Sequence, residues 1–143
     1  MNKLAAHNIS MNFSNAQDSL NVLQDISLDL CEGQSIGIIG SSGCGKTTLL
    51  QILAGLETPS AGSVYFNETN LSENNKTKFT KLRSSLFGFV YQFHYLLEDL
   101  TLFENCELSF HIMKSRDRVA NRETIMSIFD ELGISHLEKS YPF

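Results

Sequence analysis

A chain of 143 residues with 42% apolar side chains is the size of one ordinary domain, a length at which folding hides roughly 70% of the unfolded surface. Its net charge of −5, with Lys and Arg scattered singly except around Lys76 to Arg83, argues against nucleic acid as a partner. No apolar run approaches the ~20 residues of a membrane helix, the N-terminus lacks the apolar core of a secretion signal, and Cys31, Cys44 and Cys106 are too widely separated for a disulfide or zinc framework. These features predict a cytosolic protein with reduced thiols.

Leu4 to Phe13 places Ala5, Ile9, Met11 and Phe13 on one side of a half-buried strand. Ile26, Leu28 and Leu30 alternate with Ser27, Asp29 and Cys31, predicting a second strand that stops at Glu32 and Gly33. Ser35 to Ile39 is β-branched and apolar without alternation, the pattern of a strand covered on both faces. The phrase GSSGCGKTTLL follows directly, and a helix is predicted from Lys46 to Leu56, stopped by Thr58, Pro59 and Gly62. Ser63 to Asn67 reads as another strand and Asn67 to Asn75 as a polar loop. Phe79 to Leu86 reads as a helix, and Phe87 to Tyr91 as an apolar strand ending at Gln92. Thr101 to Lys114 is predicted helical, capped by Thr101. Ile125, Ile128, Phe129 and Leu132 recur with helical period, so Asp117 to Gly133 is an amphipathic helix stopped by Gly133. Strand, glycine loop and helix, followed by further strands and helices, define the α/β class.

Gly40, Ser41, Ser42, Gly43, Cys44, Gly45, Lys46 and Thr47 match G-x-x-x-x-G-K-[ST] at every fixed position, between an apolar run and a helix where the motif belongs. The glycines let the backbone approach an anion closely. Amides from Ser42 to Thr48 can then point at a β-phosphate, reinforced by the helix dipole. Lys46 reaches the β- and γ-phosphates, and the Thr47 hydroxyl suits Mg2+. A Gly/Ser-rich turn that merely precedes a lysine would not also supply the run, the Lys-Thr pair and the helix. Cys44 reads either as a reactive thiol, lowered in pKa over the helix N-terminus and beside Lys46, or as a small filler residue.

From Leu4 to its last residue the chain resembles the ATP-binding cassette subunits of membrane transporters. The likeness rests on the elements before the glycine loop and on the phrases LLQILAGLETPSAGSVYFN and FGFVYQFHYLLEDLTLFENC. The second phrase is most similar to that of lipoprotein-releasing and macrolide-export ATPases, although Glu98 stands where that subfamily usually has Pro. The resemblance implies a P-loop NTPase fold, the N-terminal portion of an ATP-binding cassette with an antiparallel β subdomain. It makes ATP and Mg2+ the ligands, Gln92 the Q-loop residue that touches Mg2+ and the attacking water, and Phe13 the ring that stacks on adenine. The implied partners are a transmembrane permease subunit and a second cassette, at the inner face of the cell membrane. The family's γ-phosphate-sensing histidine comes later in the domain, so His7, His94, His111 and His136 do not inherit that role. His94 reads instead as part of the permease-facing surface.

Nothing in the sequence reads like the LSGGQ signature. Ile125 to Glu131 superficially resembles a Walker B strand ending in Asp130 and Glu131, but its helical period makes it an amphipathic helix with both acids on the wet side. The family's two strands that would separate the runs at 36–39 and 87–91 are absent, so the core sheet is expected to be incomplete and the chain by itself unstable, aggregating or rearranged. Weak ATP binding without turnover follows as an expectation. Two other readings differ in their predictions: a non-catalytic nucleotide-binding or permease-docking module needs neither signature nor Walker B. A guanylate-kinase-type enzyme would place its phosphate loop nearly at the N-terminus.

Overall fold

Two long strands, β1 (Lys3–Ser14) and β2 (Ser19–Cys31), pair antiparallel and frame the first half of the computed structural model. The structure describes residues 1–14, 19–72, 86–112 and 118–142, and the chain divides into two units, Met1–Phe87 and Gly88–Phe143. In the first unit β1 also pairs antiparallel with β3 (Ala61–Phe66), which pairs with the two-residue β4 (Thr69–Asn70), giving the order β2-β1-β3-β4. The strands expected at 4–13, 26–31 and 63–67 are all present. β2, however, begins as early as Ser19, and β4 falls inside the stretch read as a loop.

β1 departs from simple alternation. Ala5, Ala6, Ile9 and Met11 are all buried, which strict period two would forbid. Register shifts between Ala6 and Ile9, and again before Met11, supply the extra residues. At the first shift Asn8 has φ 53° and Asp25 φ 51°. The Asn8 side-chain amide donates to Asp25 Oδ1 at 2.6 Å, and the Asn8 backbone N–H donates to Ser27 Oγ at 2.9 Å. Short polar side chains thus satisfy backbone groups that the interrupted ladder leaves over.

α1 (Lys46–Leu53) buries Leu49, Ile52 and Leu53, one helical face, against Ile9, Met11, Leu23, Val64 and Leu71. Each such side chain contributes about 1.5–3 kcal/mol by leaving water. The helix ends at Leu53 rather than at Leu56 as expected. Leu56 N–H reaches back to Gln51 O at 2.8 Å and Gly55 N–H to Ile52 O at 3.0 Å, a closed turn around Gly55 at φ 64°.

The apolar runs Ser35–Ile39 and Phe87–Tyr91 were expected as strands and form none. Among the described residues no strand pairs with either. Ile39 is 94% exposed and Val90 fully so, while Ile38 and Phe87 pack on the first unit's core. A β-branched run becomes a strand only when a neighbour takes up its backbone hydrogen bonds. The helix expected at 79–86 lies outside the described residues apart from Leu86.

In the second unit α2 (Leu102–Ile112) packs with α3 (Arg118–Glu131), which a short 3-10 turn, Ser135–Leu137, follows. Thr101 caps α2 as expected, and Glu104 reciprocates: Glu104 N–H donates to Thr101 Oγ1 at 3.3 Å while Thr101 N–H donates to Glu104 Oε2 at 2.8 Å. The Thr101 backbone N–H and the Thr101 hydroxyl, both donating to its carboxylate, hold the Glu104 carboxyl below the usual value. On α3 Ile125 and Phe129 are buried, but Ile128 and Leu132 are exposed, a narrower apolar face than the periodicity predicted. The helix stops where expected, with Ile134 N–H bonded to Phe129 O at 2.8 Å around Gly133. The segment after it crosses the head of α2. Leu102 N–H donates to Ser140 O at 2.8 Å, and Arg122 pairs with Glu138 at 2.6 Å while lying 4.8 Å over the Phe103 ring.

All three cysteines are free, Cys44 exposed and the other two half-buried; burial pushes the Cys106 thiol up. Among the described residues no helix is long and apolar enough to cross a membrane.

Candidate functional site

The sharpest steric constraint in the first unit lies at Gly45, which is buried at the head of α1 with φ 92°. A Cβ there would meet Leu23 Cδ2 and Val22 Cγ1 at 2.9 Å and the Val22 carbonyl oxygen at 3.0 Å. β2 therefore presses directly on the start of α1, and only glycine fits between them. No side chain caps the helix. Its first-turn amides, with the positive end of the helix dipole, form a donor set of the kind that receives an anion.

The loop curls tightly in front of these amides. A Cβ on Gly40 would come within 2.7 Å of Cys44 Sγ. Lys46 folds back over the curl: its Nζ donates to Gly40 O at 3.1 Å and to Ser41 O at 2.6 Å, and lies 3.8 Å from Cys44 Sγ. Ser41, Ser42, Gly43, Cys44 and Thr47 are exposed, and Thr48 is half-buried. The donor chemistry fits a polyphosphate, with backbone amides, one ammonium, and the Thr47 hydroxyl for a hard cation.

Phe13 pairs with Leu20 on the ladder, a few residues from the Met11–Leu23 pair whose Leu23 touches the Gly45 position. That places it about 7–10 Å along the strands from the loop's anchor. At 46% exposure it is not a core ring, and an aromatic face is open there.

Gln92 belongs to the second unit and is exposed, directly after the apolar run Phe87–Tyr91. Around it the rings of Phe89 and Tyr91 stack at 5.6 Å and 9°, and Tyr95 meets Tyr91 edge-on at 5.4 Å. Asp130 and Glu131 end α3 and are exposed, as the helical period predicted; the Ser135 hydroxyl donates to Asp130 Oδ1. Among the described residues no three His, Cys, Asp or Glu side chains converge as a metal site. Sequence reasoning passed over Glu104 and Asn105. The T-x-x-E spacing from Thr101 signals the first, while the second bonds a loop whose path no sequence pattern shows.

A family model described as ABC transporter matches residues 23–142, and the chain belongs to that family. It is 37% identical over 129 residues to the lipoprotein-releasing system ATP-binding protein LolD of Saccharophagus degradans, covering 90% of this chain and 56% of the relative. It is 33% identical over 135 residues to the LolD protein of Buchnera aphidicola subsp. Acyrthosiphon pisum, covering 94% of this chain and 59% of that one. The fold superimposes on the ATP-binding cassette MJ0796, solved as a dimer in a post-hydrolysis state bound to ADP and Pi. The TM-score is 0.88 at 26% identity, over 97% of this chain and 61% of that one. The architecture is therefore that of a P-loop NTPase cassette, and the chain spans less than two thirds of the length of the relatives it matches.

Proposed function

We propose that residues 1–143 are the nucleotide-binding part of the ATP-binding subunit of a lipoprotein-releasing type of ABC transporter. The observation that carries this reading is the uncapped head of α1, held against β2 by a position only glycine can fill and covered by Lys46. In this reading Gly40, Ser41, Ser42, Gly43, Cys44, Gly45, Lys46, Thr47 and Thr48 receive the phosphates of ATP. Lys46 exchanges two neutral carbonyls for phosphate oxygens, which are stronger partners for an ammonium. Phe13 offers its open face to adenine. Thr47 and Gln92 are the residues that would hold Mg2+, which when bound neutralises developing charge on the transferring phosphate. A membrane permease and a second cassette are the partners, and the working place is the cytoplasmic face of the cell membrane.

Residues 1–143 form a partial nucleotide-binding domain, with Walker A and the Q-loop but without signature, Walker B or switch histidine. Supplied alone they bind ATP weakly and do not turn it over. The helical placement of Asp130 and Glu131 supports this, because both acids stand at the exposed end of a helix, with Asp130 engaged by the Ser135 hydroxyl, rather than at the end of a core strand. The same observation favours a second reading, a non-catalytic nucleotide-binding or permease-docking module.

Titration of the purified chain with a fluorescent mant-ATP, competed by ATP and by AMP, tests the proposal. Displacement by ATP and not by AMP is expected, with no steady phosphate release. Absence of mant-ATP binding, or phosphate release abolished by Glu131→Gln, would sink it. Nucleotide-dependent capture of a permease, with no turnover even when the remaining portion of a cassette is added, would select the docking module.

A further inference from the structure

We infer that Asn105 is a positioning residue for the loop that carries Gln92, an inference resting on the role proposed above for Gln92. Its side-chain amide fastens one short segment at both ends. Oδ1 accepts the Leu97 N–H at 2.8 Å, and Nδ2 donates toward Leu97 O at 3.1 Å, Leu100 O at 3.0 Å and Thr101 O at 2.9 Å. Two N–H groups and one oxygen serve four backbone partners, so one hydrogen is shared between carbonyls. Leu97 is the exit of the stretch that begins at Gln92, and Thr101 caps α2. One residue therefore ties the end of the loop to the head of the helix.

Burial holds that stretch at Leu96, which is half-buried, while Phe93, Tyr95 and Leu97 are 64%, 72% and 53% exposed. Tyr95 is moreover in the left-handed region at φ 49°, a strained conformation that persists only where its surroundings impose it. A loop that is exposed and strained keeps its shape through polar anchors, and Asn105 provides four of them at its end. The residue type is demanding. A carboxylate could accept from Leu97 but would face three carbonyl oxygens, and an apolar side chain would leave all four groups without this partner. With Asn105 in place, the end of the Gln92 loop and the first turn of α2 move as one body, so a displacement of either reaches the other.

Amide-resolved hydrogen exchange on the full chain, without nucleotide, tests this. In Asn105→Ala the amides of Leu97, bonded to Asn105 Oδ1, and Leu100, bonded to Leu97 O, are expected to exchange at least tenfold faster, while those of 106–111 stay within twofold of the wild-type rate. In Asn105→Asp the carboxylate can still accept from Leu97 but repels the three carbonyl oxygens, so the protection is lost at neutral pH. It returns as the pH falls through the ordinary carboxyl value of about 4, where the protonated group again has one donor and one acceptor. Unchanged exchange at Leu97 and Leu100 in the alanine variant, an equal rise over 106–111, or no return of protection in acid would each overturn the inference. Mant-ATP binding by the wild-type chain is read separately: its absence sinks the proposed function, whereas unchanged exchange with binding intact sinks the anchoring alone.

Discussion

The Lys46 ammonium lies 2.6 Å from the carbonyl oxygen of Ser41, five residues earlier in the chain, and 3.1 Å from that of Gly40. The loop thus holds its own cation over the amides at the head of α1, close to where a phosphate would meet it. Replacing Lys46 by Ala removes this charge while leaving the buried face of α1, Leu49, Ile52 and Leu53, untouched. Affinity for mant-ATP is expected to fall roughly tenfold to a hundredfold, the value of a hydrogen bond to a charged group. The far-ultraviolet circular dichroism should be unchanged.

Two glycines of the loop should respond differently to alanine. Gly43 and Gly45 both have positive φ, 79° and 92°, but a Cβ on Gly43 would meet nothing within 4 Å. Gly43→Ala should cost about 1 kcal/mol, the strain of a left-handed non-glycine. Gly45→Ala adds overlap with Val22 and Leu23 and should cost about 2–4 kcal/mol. Urea midpoints of the two variants give the comparison, and equal shifts would contradict the packing of β2 on the head of α1.

The cap of α2 predicts an acid-sensitive element. Glu104 is held below the ordinary value of 4.5 by its hydrogen bonds from Thr101. A carboxyl lowered in the folded state contributes stability that is fully present above 4.5 and is lost as the pH falls from there through the lowered folded value. The Thr101 amide should therefore lose protection from exchange below about pH 4.5. In Glu104→Gln this pH dependence should vanish. Thr101→Ala should remove about 1 kcal/mol above pH 4.5 and less below it, since part of what the hydroxyl contributes is its hydrogen bond to the Glu104 carboxylate.

Ile39 and Val90 stand 94% and fully exposed in apolar runs that no described strand pairs. Such segments invite association between chains. The purified chain is expected to show concentration-dependent light scattering and to bind a hydrophobic dye, with Ile39→Lys and Val90→Lys each lowering both signals. A sharp, concentration-independent melting transition of the unmodified chain would refute this.

Much of the site was legible because its signal is chemical and contiguous. The run from Gly40 to Thr47 matches a phosphate-loop pattern at every fixed position, and the elements around it follow from local pattern: alternation in β2, a helix beginning at Lys46, and a glycine stop at 133. The bulge at Asn8 was not legible, since two buried residues three apart look like a helical pair until the partner strand shows where the extra residue sits. Nor was Asn105, whose four partners are brought to it by the path of a loop without periodicity.

The sequence by itself determined which residues could meet a phosphate, because backbone freedom at glycine and a fixed charge on lysine belong to the residues wherever they stand. It also determined that Asp130 and Glu131 lie on a helix, because a period of 3.6 is a property of the chain alone. Tertiary structure decided whether an apolar run becomes a strand. Ser35–Ile39 and Phe87–Tyr91 have the composition of buried strands, yet a strand exists only as part of a ladder with a neighbouring strand, and among the described residues no strand pairs with either run.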